Sequence, residues 1–282
     1  MNKQNRIEIP LCLTITDLVF EGEKTATFSF HLPANLELDP IPGQYFMLWL
    51  PGDDEIPISI SQIENNEKIQ FTICSKGQTS ANFLRMNKGD LVGLRGPYGN
   101  GFDISDKEVA IIIAGGMGIA PLRFIISTLI SRTQKKILLI HGARTHDELF
   151  FKEELNNTDI DIRYCTDDGS FGFHGFPTII LEEILQKAQQ KNLSHEIYSC
   201  GPEKMLKGIL DIVNQFNLEK NAQFSLADRY IRCGFGICGS CYLDGVGLSI
   251  CRDGPVFRGD VLQKITDFGS FGRNANGSKY PL

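Results

Sequence analysis

A chain of 282 residues, 42% hydrophobic and 22% charged, holds enough material for two globular domains and a small third. Its formal net charge of −6, with no run of Lys and Arg, excludes the clustered positive surface on which nucleic-acid binding depends. No apolar run approaches the roughly 18 residues of a membrane span, and the opening MNKQNRIEIP lacks the apolar core of a secretory signal, so a cytoplasmic chain with no membrane partner is expected.

The first hundred residues alternate with period two. TATFSFH (25–31) puts Ala26, Phe28 and Phe30 on one face, and KIQFTIC (68–74) does the same with Ile69, Phe71 and Ile73. QYFMLWL (44–50), PISIS (57–61) and DLVGLRG (90–96) are further strands, separated by Pro and Gly. Short strands with no strong helix between them predict a closed antiparallel β-barrel over 1–102, ending in the turn segment GPYGNGF (96–102).

The rhythm then changes. VAIIIA (109–114) is a continuous apolar run, as in a strand buried on both faces. A glycine-rich turn leads to PLRFIISTLISR (121–132), apolar at helical spacing. KILLIH (136–141), a helix around 147–156, IDIRYC (160–165), a helix around 176–190, HEIYSC (195–200) and a helix over 202–216 continue the alternation. That order predicts an α/β domain over 103–224, a parallel sheet covered on both faces. The remainder, 225–282, has few apolar residues and much glycine. It looks too small and polar to build its own core, so something other than packing must hold it.

Three turns in the α/β domain carry binding chemistry. Gly115, Gly116 and Gly118 lie in AGGMGIAP (114–121), between a buried strand and a helix whose first N–H groups suit an anion. Cys200, Gly201 and Pro202 form a second such turn, and paired turns at the carboxyl edge of a parallel sheet are where nucleotides bind. Asp167 and Asp168, in TDDGS after the strand 160–165, are placed to accept from ribose hydroxyls and to repel a 2′-phosphate, favouring NAD over NADP. A plain turn uses Asp-Asp-Gly equally well. In the barrel, SKGQTS (75–80) gathers a glycine, hydroxyls and backbone donors suited to a pyrophosphate.

Four of the eight cysteines fall between 233 and 251. In a reducing compartment clustered thiols are metal ligands or redox groups rather than disulfides. Cys233, Cys238, Cys241 and Cys251 follow the C-x4-C-x2-C…C order of plant-type [2Fe–2S] proteins, with a shorter last spacer. Gly234, Gly236 and Gly239 let the loop turn N–H groups toward sulfur. Zinc, which usually takes two short knuckles across a longer spacer, is the alternative. The scattered Cys12, Cys74, Cys165 and Cys200 read as buried, inert thiols.

Together the parts resemble the ferredoxin reductase-like superfamily over nearly the whole length, and within it the electron-transfer subunit of class 1B dihydroorotate dehydrogenase. GPYGNGF, AGGMGIAPL, TDDGSFG and CGPEKM carry the resemblance, and CGFGICGSC with GLSICRDGPVF carries it most specifically. It implies FAD in the barrel, with Pro57, Ile58 and Ser59 by the flavin and Gly77, Thr79 and Ser80 near its phosphates. It implies NAD(H) with its phosphates along Gly115, Gly116 and Gly118, and with Cys200, the candidate catalytic residue, Gly201 and Pro202 near the nicotinamide. Cys233, Cys238, Cys241 and Cys251 would hold the iron, facing an FMN-containing catalytic subunit in a heterotetramer of two of each. Many relatives carry an arginine just before the Pro-x-Ser that touches FAD; Ile56 stands there instead, beside Asp53, Asp54 and Glu55.

The resemblance implies electrons passing from dihydroorotate in the partner through the cluster and FAD to NAD+, in pyrimidine biosynthesis. Rival readings are the NAD(P)H-linked subunit of a sulfide dehydrogenase, hydrogenase or transhydrogenase, and a zinc-stapled binding module with an empty nucleotide fold.

Overall fold

A computed structural model describes residues 6–65, 67–132, 134–191 and 193–282; the first five residues of the opening segment lie outside the described residues. The first hundred residues form β1 (Ile7–Gly22), β2 (Thr25–His31), β3 (Tyr45–Trp49), β4 (Glu55–Glu64), β5 (Lys68–Cys74), α1 (Gln78–Phe83) and β6 (Leu91–Tyr98). The strands close into a barrel in the order β1-β2-β5-β4-β3-β6. Ala26, Phe28 and Phe30 pair across to Ile73, Phe71 and Ile69, and all six side chains are buried inside. Phe46 and Phe83 complete this core, the first edge-on to Phe71 at 5.5 Å and the second edge-on to Phe28 at 6.0 Å.

The second unit comprises β7 (Val109–Gly115), α2 (Ile119–Arg132), β8 (Lys136–Ala143), α3 (Lys152–Asn156), β9 (Asp161–Thr166), β10 (Phe173–His174), α4 (Pro177–Lys191), β11 (His195–Cys200), α5 (Glu203–Gln215) and β12 (Ala222–Ser225). The expected helix around 147–156 is broken in its middle rather than continuous. A 3-10 turn covers His146–Glu148, and Phe151, at φ +59°, stops helical winding until α3. In α5, Leu206, Ile209, Leu210 and Val213 recur at helical spacing and bury one face. The barrel's polar outer face is covered too, because α2 lies on it: Ser127 Oγ donates to Gln62 at 2.8 Å.

The last segment contains β13 (Tyr242–Leu243), β14 (Leu248–Ser249), α6 (Ile250–Asp253), β15 (Val256–Arg258), α7 (Gly259–Leu262), β16 (Phe271–Arg273) and β17 (Lys279–Pro281). It does have a core, a shared one. Leu226, Ile231, Leu243, Ile250, Phe257, Leu262, Ile265 and Phe268 join the apolar cluster built from α4, α5 and the sheet, and Tyr45, Met47 and Tyr98 of the barrel reach the same cluster. β15 also returns to the sheet antiparallel to β12, pairing Phe257 with Phe224, so the sheet reads β10-β9-β8-β7-β11-β12-β15. Packing and strand pairing therefore hold this segment in place. Residues 271–281 form a hairpin, with Phe271 opposite Pro281.

Candidate functional site

The sheet order reverses between β7 and β11: successive strands run outward to β8 on one side and to β12 on the other. A crevice opens at such a reversal, and both glycine turns border it. The glycines serve different purposes there. A Cβ on Gly118 would overlap the Cys200 carbonyl, and one on Gly115 would lie 2.6 Å from Met205 Sδ and 2.8 Å from Pro202 Cδ. These two pack the turns against each other instead of admitting a ligand. Gly116, at φ +49° with nothing near its missing side chain, faces open space. Gly201 fills the same close seam, and Pro202 caps α5.

Cys200 ends β11 beside Ser225 and is buried. Burial, then the Asp228 carboxylate, push its thiol up to about 12, so it is a neutral S–H and not a nucleophile. Cys165 is also buried, whereas Cys12 is exposed and Cys74 half-buried, so the expectation of four buried thiols fails for those two. Cys12 falls on the outward-facing side of barrel strand β1.

On the barrel, Pro57, Ile58 and Ser59 are half-buried in β4 opposite Met47, Phe46 and Tyr45 of β3. Ile56 packs against the barrel core, and Glu55 beside it is neutralised by Arg95, at 3.1 and 2.6 Å. Gly77 caps α1 with open space where a side chain would be. The Ser80 hydroxyl is engaged by its own loop: it accepts from the Lys76 and Gly77 N–H groups, both at 2.9 Å. Thr79 Oγ1 donates to Asp53 at 3.1 Å and Asn82 Nδ2 donates to it at 2.7 Å, which holds the Asp53 carboxyl below its ordinary range. Lys76 forms an ion pair with Asp228, linking this loop to the end of β12 near Cys200. Thr25 donates to Met117 Sδ at 3.8 Å. Barrel and sheet thus meet around the crevice.

Asp167 and Asp168 follow β9 at the crevice's far end. Asp168 accepts from the Ser170 hydroxyl at 2.6 Å and its N–H at 2.9 Å, which lowers its pKa. Burial raises Asp167, partly offset by Arg144. Arg144 itself is paired with Glu148.

The cysteine loop is mounted on the barrel, one strand from Pro57–Ser59. Tyr45 donates its hydroxyl to the Gly234 and Cys251 carbonyls, at 3.0 and 3.1 Å. Arg95 donates to the Cys233 carbonyl at 3.1 Å and lies 5.2 Å from the Phe235 ring. Lys76 lies within SKGQTS, but sequence patterns assign no role to Tyr45, Arg95 or Asp228, whose partners lie far along the chain; a charged Arg95 inside an otherwise apolar strand is the one usable hint.

The thiols draw together in two pairs, Cys233 with Cys238 and Cys241 with Cys251. Burial pushes Cys233 up, but the N–H groups of Cys238, Phe235 and Ile237 outweigh it and bring it down to about 6. Sharing a proton with Cys251 brings Cys241 down to about 7 and raises Cys251. Gly234, Gly236 and Gly239, at φ +83°, +87° and +72°, turn the backbone donors inward. Two thiol pairs with N–H donors fit a two-iron cluster.

A flavin- and nicotinamide-linked oxidoreductase carrying an iron–sulfur cluster is the class that this barrel, sheet and loop define. Family models agree segment by segment: an oxidoreductase FAD-binding domain matches 13–102 and an oxidoreductase NAD-binding domain 112–211. The iron–sulfur cluster binding domain of dihydroorotate dehydrogenase B matches 228–263. A probable dihydroorotate dehydrogenase B (NAD(+)) electron transfer subunit of Methanocaldococcus jannaschii is 39% identical over 97% of this chain and 99% of its own length. One from Pyrococcus abyssi is 42% identical over 86% and 88%. The chain belongs to this family of electron transfer subunits. A solved NADH-dependent reduced ferredoxin–NADP oxidoreductase shares the fold with TM-score 0.75 at 24% identity, over 90% of this chain and 89% of its own.

Proposed function

We propose that the chain is the NAD-linked half of a dihydroorotate dehydrogenase, passing two electrons from a partner's FMN to NAD+, so that dihydroorotate and NAD+ become orotate, NADH and a proton. The observation that carries this reading is the mounting of the cysteine loop on β3, directly beside the Pro57–Ser59 stretch of β4. Bound FAD exchanges a hydride with nicotinamide and single electrons with a [2Fe–2S] cluster, which is why it belongs between them.

The chain's own residues bind and orient. Pro57, Ile58 and Ser59 flank the flavin; Gly77, Thr79 and Lys76 face its phosphates, with the loop shape fixed by Ser80. Lys76 supplies a positive charge that Ile56 does not. Gly116 gives the NAD phosphates their opening, and the seam of Gly115, Gly118 and Gly201 fixes the angle between the turns. Cys200, a neutral thiol, packs beside the nicotinamide and excludes water. The acidic Asp167, Asp168 and Glu148 outnumber Arg144 at the ribose end and favour NAD over NADP. Cys233, Cys238, Cys241 and Cys251 hold the cluster, and Phe235 and Ile237, 45% and 77% exposed in the same loop, meet the catalytic subunit. The complex is read as a cytoplasmic heterotetramer of two subunits of each kind. Among the described residues no helix is long and apolar enough to cross a membrane.

Anaerobically purified protein should show flavin and iron–sulfur absorption bands, both bleached by NADH. A colourless protein with stoichiometric zinc would refute the reading. Co-purification followed by assay of dihydroorotate-dependent NAD+ reduction identifies the partner, and a different electron donor in that assay would assign the subunit to another redox complex.

A further inference from the structure

A deeply buried set of charges takes no part in the contacts above. Arg229, its side chain 4% exposed, forks onto Glu203: Nε reaches Oε2 at 2.6 Å and Nη2 reaches Oε1 at 2.5 Å. Its Nη1 lies 3.5 Å from Oδ2 of Asp267, whose side chain is 1% exposed. The Gly269 N–H also donates to Glu203 Oε1, at 2.7 Å. Farther out, Arg273 sits with Nε 4.0 Å from Asp267 Oδ2 and donates through Nη2 to Asp244 at 2.6 Å, and Lys279 pairs with Asp244 as well. Three carboxylates meet three cations.

Burying such a set is costly, and apolar residues of similar volume often stabilise a fold as well or better. Position explains what stability does not. Glu203 directly follows Pro202 and opens α5, so a pull on its carboxylate is a pull on the 200–202 turn. Arg229 stands four residues before Cys233. One rigid guanidinium therefore grips the nicotinamide end of the electron path and the segment that enters the cluster loop.

We propose that Arg229 is a positioning residue that sets the 200–202 turn against the cluster loop through Glu203. Asp267 and the β16–β17 hairpin brace it from the other side. The proposal rests on reading that turn as the nicotinamide site. Lysine cannot replace it, because a single ammonium does not fork onto a carboxylate while also reaching a second one.

The test uses holoprotein loaded with FAD and iron. NAD+ dissociation constants are measured by perturbation of the flavin spectrum in wild type, R229K and E203Q. Electron paramagnetic resonance of the dithionite-reduced cluster and thermal midpoints accompany them. Both variants should bind NAD+ about tenfold more weakly at unchanged FAD and iron content, and R229K should also alter the line shape of the reduced cluster. Lowered thermal midpoints with wild-type NAD+ affinity and line shape would reduce Arg229 to a structural role and overturn the proposal. Should R229K fail to assemble, the near-isosteric E203Q decides alone: unchanged NAD+ affinity there overturns it. Wild type that binds no NAD+ would instead sink the assignment of the turn, and the clamp with it.

Discussion

His141 has no exposed surface, and neither ring nitrogen makes a hydrogen bond of good geometry. Burial pulls its pKa from 6.5 to about 4, with the nearby Gly116 backbone acting in the opposite direction. The unfolded chain then binds the proton more tightly than the folded one, so stability rises with pH across that interval. The contribution is fully present above 6.5 and lost as pH falls toward 4, roughly 3 kcal/mol in all. Thermal midpoints between pH 7 and pH 4 should therefore fall steeply in wild type and less in His141→Leu; parallel curves would disprove the assignment. Such a residue is invisible in sequence, where KILLIHGA reads simply as a strand. Cys233, Cys238, Cys241 and Cys251 stand out in sequence by contrast, because their spacing is local, and they fall in the segment matched by the iron–sulfur cluster binding domain. Arg229 and Lys76 do not, since each takes its meaning from a partner 26 or 152 positions away.

Elements were legible where one period ran unbroken. β2, β5 and β7 each keep a single rhythm and fall where the sequence places them. β1 does not: register shifts between Ile15 and Asp17 and between Phe20 and Gly22 break its alternation, so it went unread. α1 is six residues of mostly polar side chains, formed because the Ser80 hydroxyl gathers its own loop. The two glycine turns show how a motif is recognised before its reason is known. AGGMGIAP suggested close approach to a ligand, yet two of its three glycines serve the approach of one turn to the other. Gly118→Ala would press a methyl against the Cys200 backbone, where neither side has a flexible side chain to yield. That should cost about 1–3 kcal/mol of stability and weaken NAD+ binding, read by thermal melts and flavin-spectrum titration. Gly116→Ala would meet no neighbouring atom, but at φ +49° it should cost about 1 kcal/mol through backbone strain alone, leaving the seam between the turns intact.

At the scale of the molecule, barrel, sheet and cysteine loop could be read in order, because each has its own composition. How they join could not, because interdomain contacts leave no periodicity. GPYGNGF looked like a closing turn; in the structure Asn100 also bonds the Gly254 carbonyl and, through Nδ2, the Asp253 carbonyl at 3.0 Å, tying the barrel's exit to the base of the cluster segment. The return of β15 beside β12 has a further consequence. Residues 226–255 are an excursion that leaves the sheet after β12 and comes home as the neighbouring edge strand β15, and both of its roots are hydrogen-bonded to each other, Leu226 N–H to the Pro255 carbonyl at 2.9 Å. A protease cut within the exposed stretch 235–239 should therefore yield two fragments that migrate together on a native gel and part only in denaturant. Separation without denaturant would show that the returning strand does not hold. The iron-bearing segment would then be a loop whose loss by nicking is slow: the seam that secures it lies in the nucleotide sheet, and the backbone through the cysteines is not its only tether.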